Sequence, residues 1–357
     1  MANLFPPGQN SPDRILIIKP SAIGDIVNSL PFLKGIRHRF PHAKIAWVIN
    51  KAYQPLLEQH PDIDQLIPFD RGEWHQTKLG GLKTFFFLIG QIRKFKPCLT
   101  IDLQGLFRTG LMAGLSGAKF RVGLEDCREG SRYFYSHRVK YLRPGKMHAV
   151  ERYWEVARFF GCGEIIPDAP MQPADDSLAR VRQQLGAFPK PWMGCAPGAR
   201  WHTKRWPPNY FSSLFTKAMQ THGGTVVFLG GKEDSEIAGE IQKNLPKEAP
   251  CADMTGKTSL GDLVAWVSQL DLLVSNDTGP MHIAVCQHIP VISPFLCTRP
   301  EWNGPFGQLK NAIQTTVSCR GSYLKTCPKM ICLDELVPDR LWPTLENELN
   351  QWKSKTQ

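Results

Sequence analysis

Three stretches of this 357-residue chain carry residue types that can do chemistry, each where an apolar run gives way to a helix pattern. In the first, the run Arg14 to Lys19 leads into Pro20-Ser21-Ala22-Ile23-Gly24-Asp25. The amino terminus of the following helix offers unpaired N–H groups, which favour an anion or the carboxylate of Asp25 itself. Gly24 is expected to permit a tight turn. Asp25 is then either a helix cap or a general base, and the loop alone does not choose between them. It is neither a GxGxxG nor a Walker loop, so by itself it does not specify a nucleotide.

The second stretch runs Ala196-Pro197-Gly198-Ala199-Arg200, then Trp201-His202-Thr203-Lys204-Arg205-Trp206-Pro207. A strand that opens into a glycine turn carrying Arg200, Lys204 and Arg205, just before a helix, is a place to hold a diphosphate. Solvated loop charge is the alternative. The third stretch, Ser275-Asn276-Asp277-Thr278-Gly279-Pro280-Met281-His282, joins an apolar strand to a helix and aims N–H groups and the Thr278 hydroxyl at a ligand. His282 either donates to a phosphate there or satisfies a carbonyl in the core.

Cysteines supply one further candidate. Cys319, Cys327 and Cys332 lie close together near the end, with Cys297 upstream, and four thiolates are what a structural zinc or iron needs. No CxxC occurs, which favours free thiols in a loop. Disulfides are not expected if the chain works in the reducing cytoplasm.

These loops need rigid elements behind them. Strands are predicted at Arg14–Lys19, Lys44–Ile49, Gln65–Phe69 and Leu99–Asp102, with helices from Ile26 to Ile36, Leu82 to Phe95 and His148 to Phe160. After a Pro- and Gly-rich linker from Gly161 to Pro191, the alternation resumes. Strands are predicted at Trp192–Ala196, Thr225–Leu229, Asp271–Ser275 and Pro290–Ser293. Helices are predicted at Asn209–Gln220, Glu233–Lys243, Leu260–Leu270 and Gly279–Cys286, with a last one at Asp339–Trp352. Strand alternating with helix predicts parallel sheets covered on both faces, and hence two doubly wound α/β domains facing across a cleft.

Composition agrees. Hydrophobic residues make up 42% and charged residues 21%, which excludes disordered, collagen-like and coiled-coil chains. The net charge is +11, and from Lys78 to Arg158 sixteen Lys or Arg face six Asp or Glu. Such a stretch suits an anionic leaflet or a phosphorylated substrate, with a solvated basic face as the alternative. Nucleic acid is not expected, because the aromatics are scattered and no recognition-motif spacing appears. The apolar runs are too short to span a membrane, and Met1 to Ser11 shows neither a basic n-region nor an apolar h-region. The chain is therefore expected to be cytoplasmic.

Six blocks in order carry a resemblance. Lys19 to Asp25, Asp102-Leu103-Gln104-Gly105, His148-Ala149-Val150-Glu151-Arg152, Lys204-Arg205-Trp206-Pro207, Thr255-Gly256-Lys257-Thr258-Ser259-Leu260 and Asn276 to His282 together resemble the ADP-heptose-dependent heptosyltransferases of lipopolysaccharide core assembly. Asp102 to Leu106, Arg128 to Gly130 and the His148 block look most like heptosyltransferase I. The resemblance spans about Ile15 to Asp334 and implies the GT-B fold. It also implies an inverting mechanism that needs no cofactor and no DxD metal site; Asp62-Ile63-Asp64 sits in a Pro-bounded loop and is discounted.

By position it implies Asp25 as general base and Lys204 on the donor diphosphate. Gly24, Arg200, Glu233, Thr255, Gly256, Asp277, Thr278, Gly279 and His282 surround the donor, with Glu233 on its ribose. Gln104, Arg121 and Arg128 meet the acceptor. Residues 1–170 would then bind the acceptor and 171–334 the nucleotide sugar, with 335–357 packing back toward the first domain. The partners implied are ADP-heptose or a related nucleotide sugar, an anionic glycolipid such as the Kdo region of the core, and peripheral contact with the inner membrane. Transfer to a protein, a nucleotide-sugar epimerase of the same architecture and a ligand-binding module without turnover are the rival readings.

Overall fold

The structure is a computed structural model that describes residues 11–70, 78–141 and 147–356. The chain divides into two compact units at Ala169–Pro170. In the first, β1 (Arg14–Ile18), β2 (Lys44–Asn50), β3 (Gln65–Phe69), β4 (Leu99–Asp102), β5 (Phe120–Leu124) and β6 (His137–Val139) form one parallel sheet in the order β3-β2-β1-β4-β5-β6. The helices are α1 (Ile23–Asn28), α2 (Leu30–Arg39), α3 (Lys78–Phe95), α4 (Phe107–Leu115) and α5 (Ala149–Phe159). β1 is central because Ile15 to Ile18 are apolar on both faces, as a strand covered by helices above and below must be.

The second unit repeats the plan. β7 (Trp192–Ala196), β8 (Thr225–Phe228), β9 (Cys251–Asp253), β10 (Leu272–Ser275), β11 (Val291–Phe295) and β12 (Ala312–Gln314) run parallel in the order β12-β11-β10-β7-β8-β9. Its helices are α6 (Asp175–Leu185), α7 (Pro208–His222), α8 (Ser235–Lys243), α9 (Leu260–Ser268), α10 (Gly279–Cys286), α11 (Pro300–Asn303) and α12 (Pro338–Thr356). In each sheet the winding reverses at the first strand, so the crevice for a ligand opens between β1 and β4 in one and between β7 and β10 in the other.

Several elements differ from the sequence expectation. The stretch read as linker contains α6, whose buried Val181 and Leu185 tie it to the second unit. Helix α4 and the short strands β5, β6, β9 and β12 differ from the expectation; strands of three to five residues carry little periodic signal. The last helix, expected to reach toward the first domain, lies on its own unit. Leu341, Leu345 and Leu349 enter the core formed by Phe211, Leu214 and Phe215 of α7. That face is apolar at helical spacing and needs a hydrophobic partner, which α7 supplies.

Candidate functional site

Asp25 is the third residue of α1, behind the cap residue Ala22. Its Oδ2 accepts the Ala22 N–H at 3.3 Å, the carboxylate half of a capping box. Its Oδ1 faces inward, accepting the Tyr153 hydroxyl of α5 at 3.0 Å and lying 3.7 Å from Lys19 Nζ. The helix-capping contact and the contacts to Tyr153 and Lys19 therefore use the two oxygens of one carboxylate. Lys19 is 2% exposed and Asp25 40%, so the acid keeps an open side while the ammonium is enclosed. Burial alone would raise the Asp25 pKa. The Lys19 charge, the Tyr153 hydroxyl and the Ala22 N–H outweigh it and hold the carboxyl below the usual range. Burial pulls the Lys19 pKa down, against the carboxylates of Asp25 and Asp102. Gly24 is an α1 residue and not a left-handed turn, which corrects its expected role.

Gln104 follows β4 on the other side of the crevice, and its Oε1 accepts from Lys19 Nζ at 3.4 Å. Buried Asp102 shapes that loop. Its Oδ1 accepts the N–H groups of Gln104 and Gly105, and its Oδ2 the Tyr135 hydroxyl at 2.7 Å. The Arg128 N–H donates to Gly105 O at 2.8 Å, which brings this exposed arginine beside the loop. Arg121 is placed differently. It pairs with Thr100 in the ladder, two residues before Asp102, and its guanidinium donates to the carbonyls of Ala118 and Phe134. It braces the fold there and does not join Asp25.

Sequence reasoning missed Tyr153 and Arg152 as partners of the acid. Arg152 grips Asp126 with two bonds of 2.9 and 2.8 Å and also donates to the Tyr141 hydroxyl. Both residues sit at the end of the His148 block, where helical spacing from the buried Ala149 was the available signal. The discounted Asp62-Ile63-Asp64 is structural at Asp64, whose Oδ2 accepts from Arg37 and from the Ile45 N–H.

In the second unit the loops after β7 and β10 meet. Lys204 Nζ lies 2.6 Å from Asp277 Oδ2, which also accepts the Thr298 hydroxyl at 2.7 Å. Asn276 locks the two loops, donating to Pro197 O and accepting the Trp206 N–H. Thr278 caps α10, Gly279 opens it and His282 is buried on its first turn. The Thr278 hydroxyl is buried and finds no hydrogen-bond partner among the described residues. A buried, unpaired hydroxyl at a helix amino terminus is costly unless a ligand completes it.

The remaining expected residues lie on neighbouring loops. Thr255 is pinned by Asp253 through its N–H and hydroxyl. Gly256, at φ +69°, donates to Gly230 O and approaches Lys232 so closely that a Cβ there would clash. Glu233 is exposed on the adjoining 3₁₀ turn, as is Arg200 on its loop. Asp234, not anticipated, packs its carboxylate against Gly198 and accepts the Gly231 N–H, and burial raises its pKa.

Metal binding is the other arrangement to weigh. Among the described residues no group of three or more His, Cys, Asp or Glu is placed to hold a metal ion. Of the four cysteines considered for zinc or iron, Cys332 packs into the hydrophobic core, where burial, with the neighbouring Cys319, Cys327 and Cys297, pushes its thiol up to about 11. Cys297 is buried and Cys319 exposed.

The fold of twin parallel sheets is shared with solved structures. E. coli ADP-heptose LPS heptosyltransferase II aligns over 95% of this chain and 99% of its own with a TM-score of 0.77 at 23% identity, so the fold is GT-B. The sequence is 27% identical to the lipopolysaccharide core heptosyltransferase OpsX of Haemophilus influenzae, over 85% of this chain and 84% of that one. It is 26% identical to lipopolysaccharide heptosyltransferase 1 of Pseudomonas aeruginosa, over 88% and 87%. Residues 90–331 match the profile of glycosyltransferase family 9, the heptosyltransferases. The chain belongs to this family and is a glycosyltransferase.

Proposed function

We propose that the protein transfers heptose from ADP-heptose to the Kdo region of the lipopolysaccharide inner core, with inversion at the anomeric carbon. The first unit takes the acceptor and the second the donor. Asp25 removes the proton from the attacking acceptor hydroxyl, and the bond from the anomeric carbon to the diphosphate breaks as the new glycosidic bond forms on the opposite face. Lys204, Arg200 and the N–H groups at the start of α10 balance the charge growing on the departing ADP. Gln104 and Arg128 orient the anionic acceptor. Glu233, Thr255 and Gly256 line the donor's nucleoside end.

The observation that carries this reading is the Asp25 carboxylate, ionised by Lys19 and Tyr153 yet open on one side. The relatives, lipopolysaccharide heptosyltransferases among them an ADP-heptose enzyme, support the donor and the lipopolysaccharide acceptor. Mixing ADP-heptose with a deacylated Kdo acceptor and reading the product anomer by NMR tests it. Asp25→Asn is expected to lower turnover by about a hundredfold or more with ADP affinity retained. Activity within threefold of wild type would leave Asp25 as a cap only. Donor isomerised in the absence of acceptor would identify an epimerase, and heptose appearing only on protein would move the acceptor class.

A further inference from the structure

Helix α3, KLGGLKTFFFLIGQIRKF, has two faces of different purpose. Phe85, Leu88, Ile89, Ile92 and Phe95 are buried against Leu16, Val48 and Ile67 of the sheet and Met112 of α4. The opposite face carries Leu82, Phe86 and Phe87, which are 54%, 60% and 68% exposed. Exposed Lys83 and Lys94 lie among these apolar side chains, Arg93 is tied to Leu115 O at 2.9 Å, and the helix contains no Asp or Glu. A globular helix ordinarily presents polar residues to water, and exposed apolar patches bounded by cations mark interaction surfaces.

We infer that the exposed face of α3 docks the enzyme on an anionic lipid leaflet. The charge pattern selects this occupant over a second copy of the chain, because a self-complementary interface through α3 would set its cations against the same cations with no acid on the helix to answer them. Anionic headgroups neutralise Lys83 and Lys94, while Leu82, Phe86 and Phe87 enter the boundary between headgroup and acyl chain. Among the described residues no helix is long and apolar enough to cross a membrane. The helix therefore lies along the surface. The inference deepens the proposed function, resting on its reading of the acceptor as a lipid.

Co-sedimentation of the full chain with vesicles of phosphatidylethanolamine and phosphatidylglycerol, which contain no acceptor, tests docking apart from catalysis. Wild type is expected to bind them, to release as salt rises, and to leave phosphatidylcholine vesicles largely free. Phe86→Ser with Phe87→Ser should lower partition at least about tenfold. Lys83→Glu with Lys94→Glu should lower it by more, at roughly fivefold per cation lost. Both variants should keep wild-type melting, and Phe86→Ser with Phe87→Ser should keep wild-type activity on a water-soluble deacylated acceptor. Vesicle binding unchanged in both variants would overturn the inference, and so would a wild-type dimer that either variant converts to monomer. Binding that depends on α3 in a protein that transfers no heptose would uphold the docking surface and remove the proposed function instead.

Discussion

The Asp25 carboxylate makes two sets of contacts with its two oxygens. Oδ2 closes the amino terminus of α1, and Oδ1 is held by Tyr153 and Lys19. Since the Lys19 charge and the Tyr153 hydroxyl hold the folded carboxyl below its ordinary range, the acid limb of kcat/KM should lie below that of an ordinary carboxylic acid. Lys19→Met removes the charge that opposes the burial penalty, so the Asp25 pKa rises and the acid limb moves to higher pH. A pH–rate profile checks this, and a limb that stays put would detach Asp25 from the rate. Thr278 makes a second test at this scale. Thr278→Val deletes a buried hydroxyl with no partner among the described residues, so thermal stability should hold or rise. ADP affinity by calorimetry should fall about fivefold if a phosphate is the missing partner.

At the scale of elements, each site residue is placed by a crossover. Lys19 and Gln104 converge because β1 and β4 are neighbours, although 85 residues separate them. Lys204 and Asp277 converge for the same reason through β7 and β10. In the second unit α12 closes the core with Leu341, Leu345 and Leu349, all fully buried. Leu345→Ala should cost about 2–5 kcal/mol of that unit's stability, read by denaturant unfolding. A change under about 0.5 kcal/mol would mean that the helix is a surface attachment.

For the whole molecule, charge is the property that reaches beyond single contacts. The +10 between Lys78 and Arg158 falls in the first unit, although residues 142–146, with Arg143 and Lys146, lie outside the described residues. Arg121 is tied to backbone carbonyls, so it is a poor probe of this field. Arg128 is exposed beside the Gln104 loop and is a good one. Arg128→Gln should raise the acceptor KM several-fold at low salt and leave the donor KM unchanged. The difference from wild type should shrink as salt screens charges over about 8–10 Å. Equal acceptor KM values at all salt concentrations would make the basic segment a solvated face.

The sequence by itself determined the alternation of strand and helix, the two parallel sheets and the three loops that carry chemistry. Buried strands such as Ile15–Ile18 and Thr225–Phe228 and turn residues such as those after Ser275 write those features locally. Only the tertiary structure decided which distant residues complete each loop. Tyr153 reaches Asp25 across 128 residues, and Arg121, alike in type to Arg128, is spent on carbonyls. It also decided that α12 belongs to the second unit, and that Phe86 and Phe87 face outward while Phe85 faces in. Periodicity announces that a helix has an apolar side; the surface that covers it is set by sheet order and crossover, which bring together residues far apart in the chain.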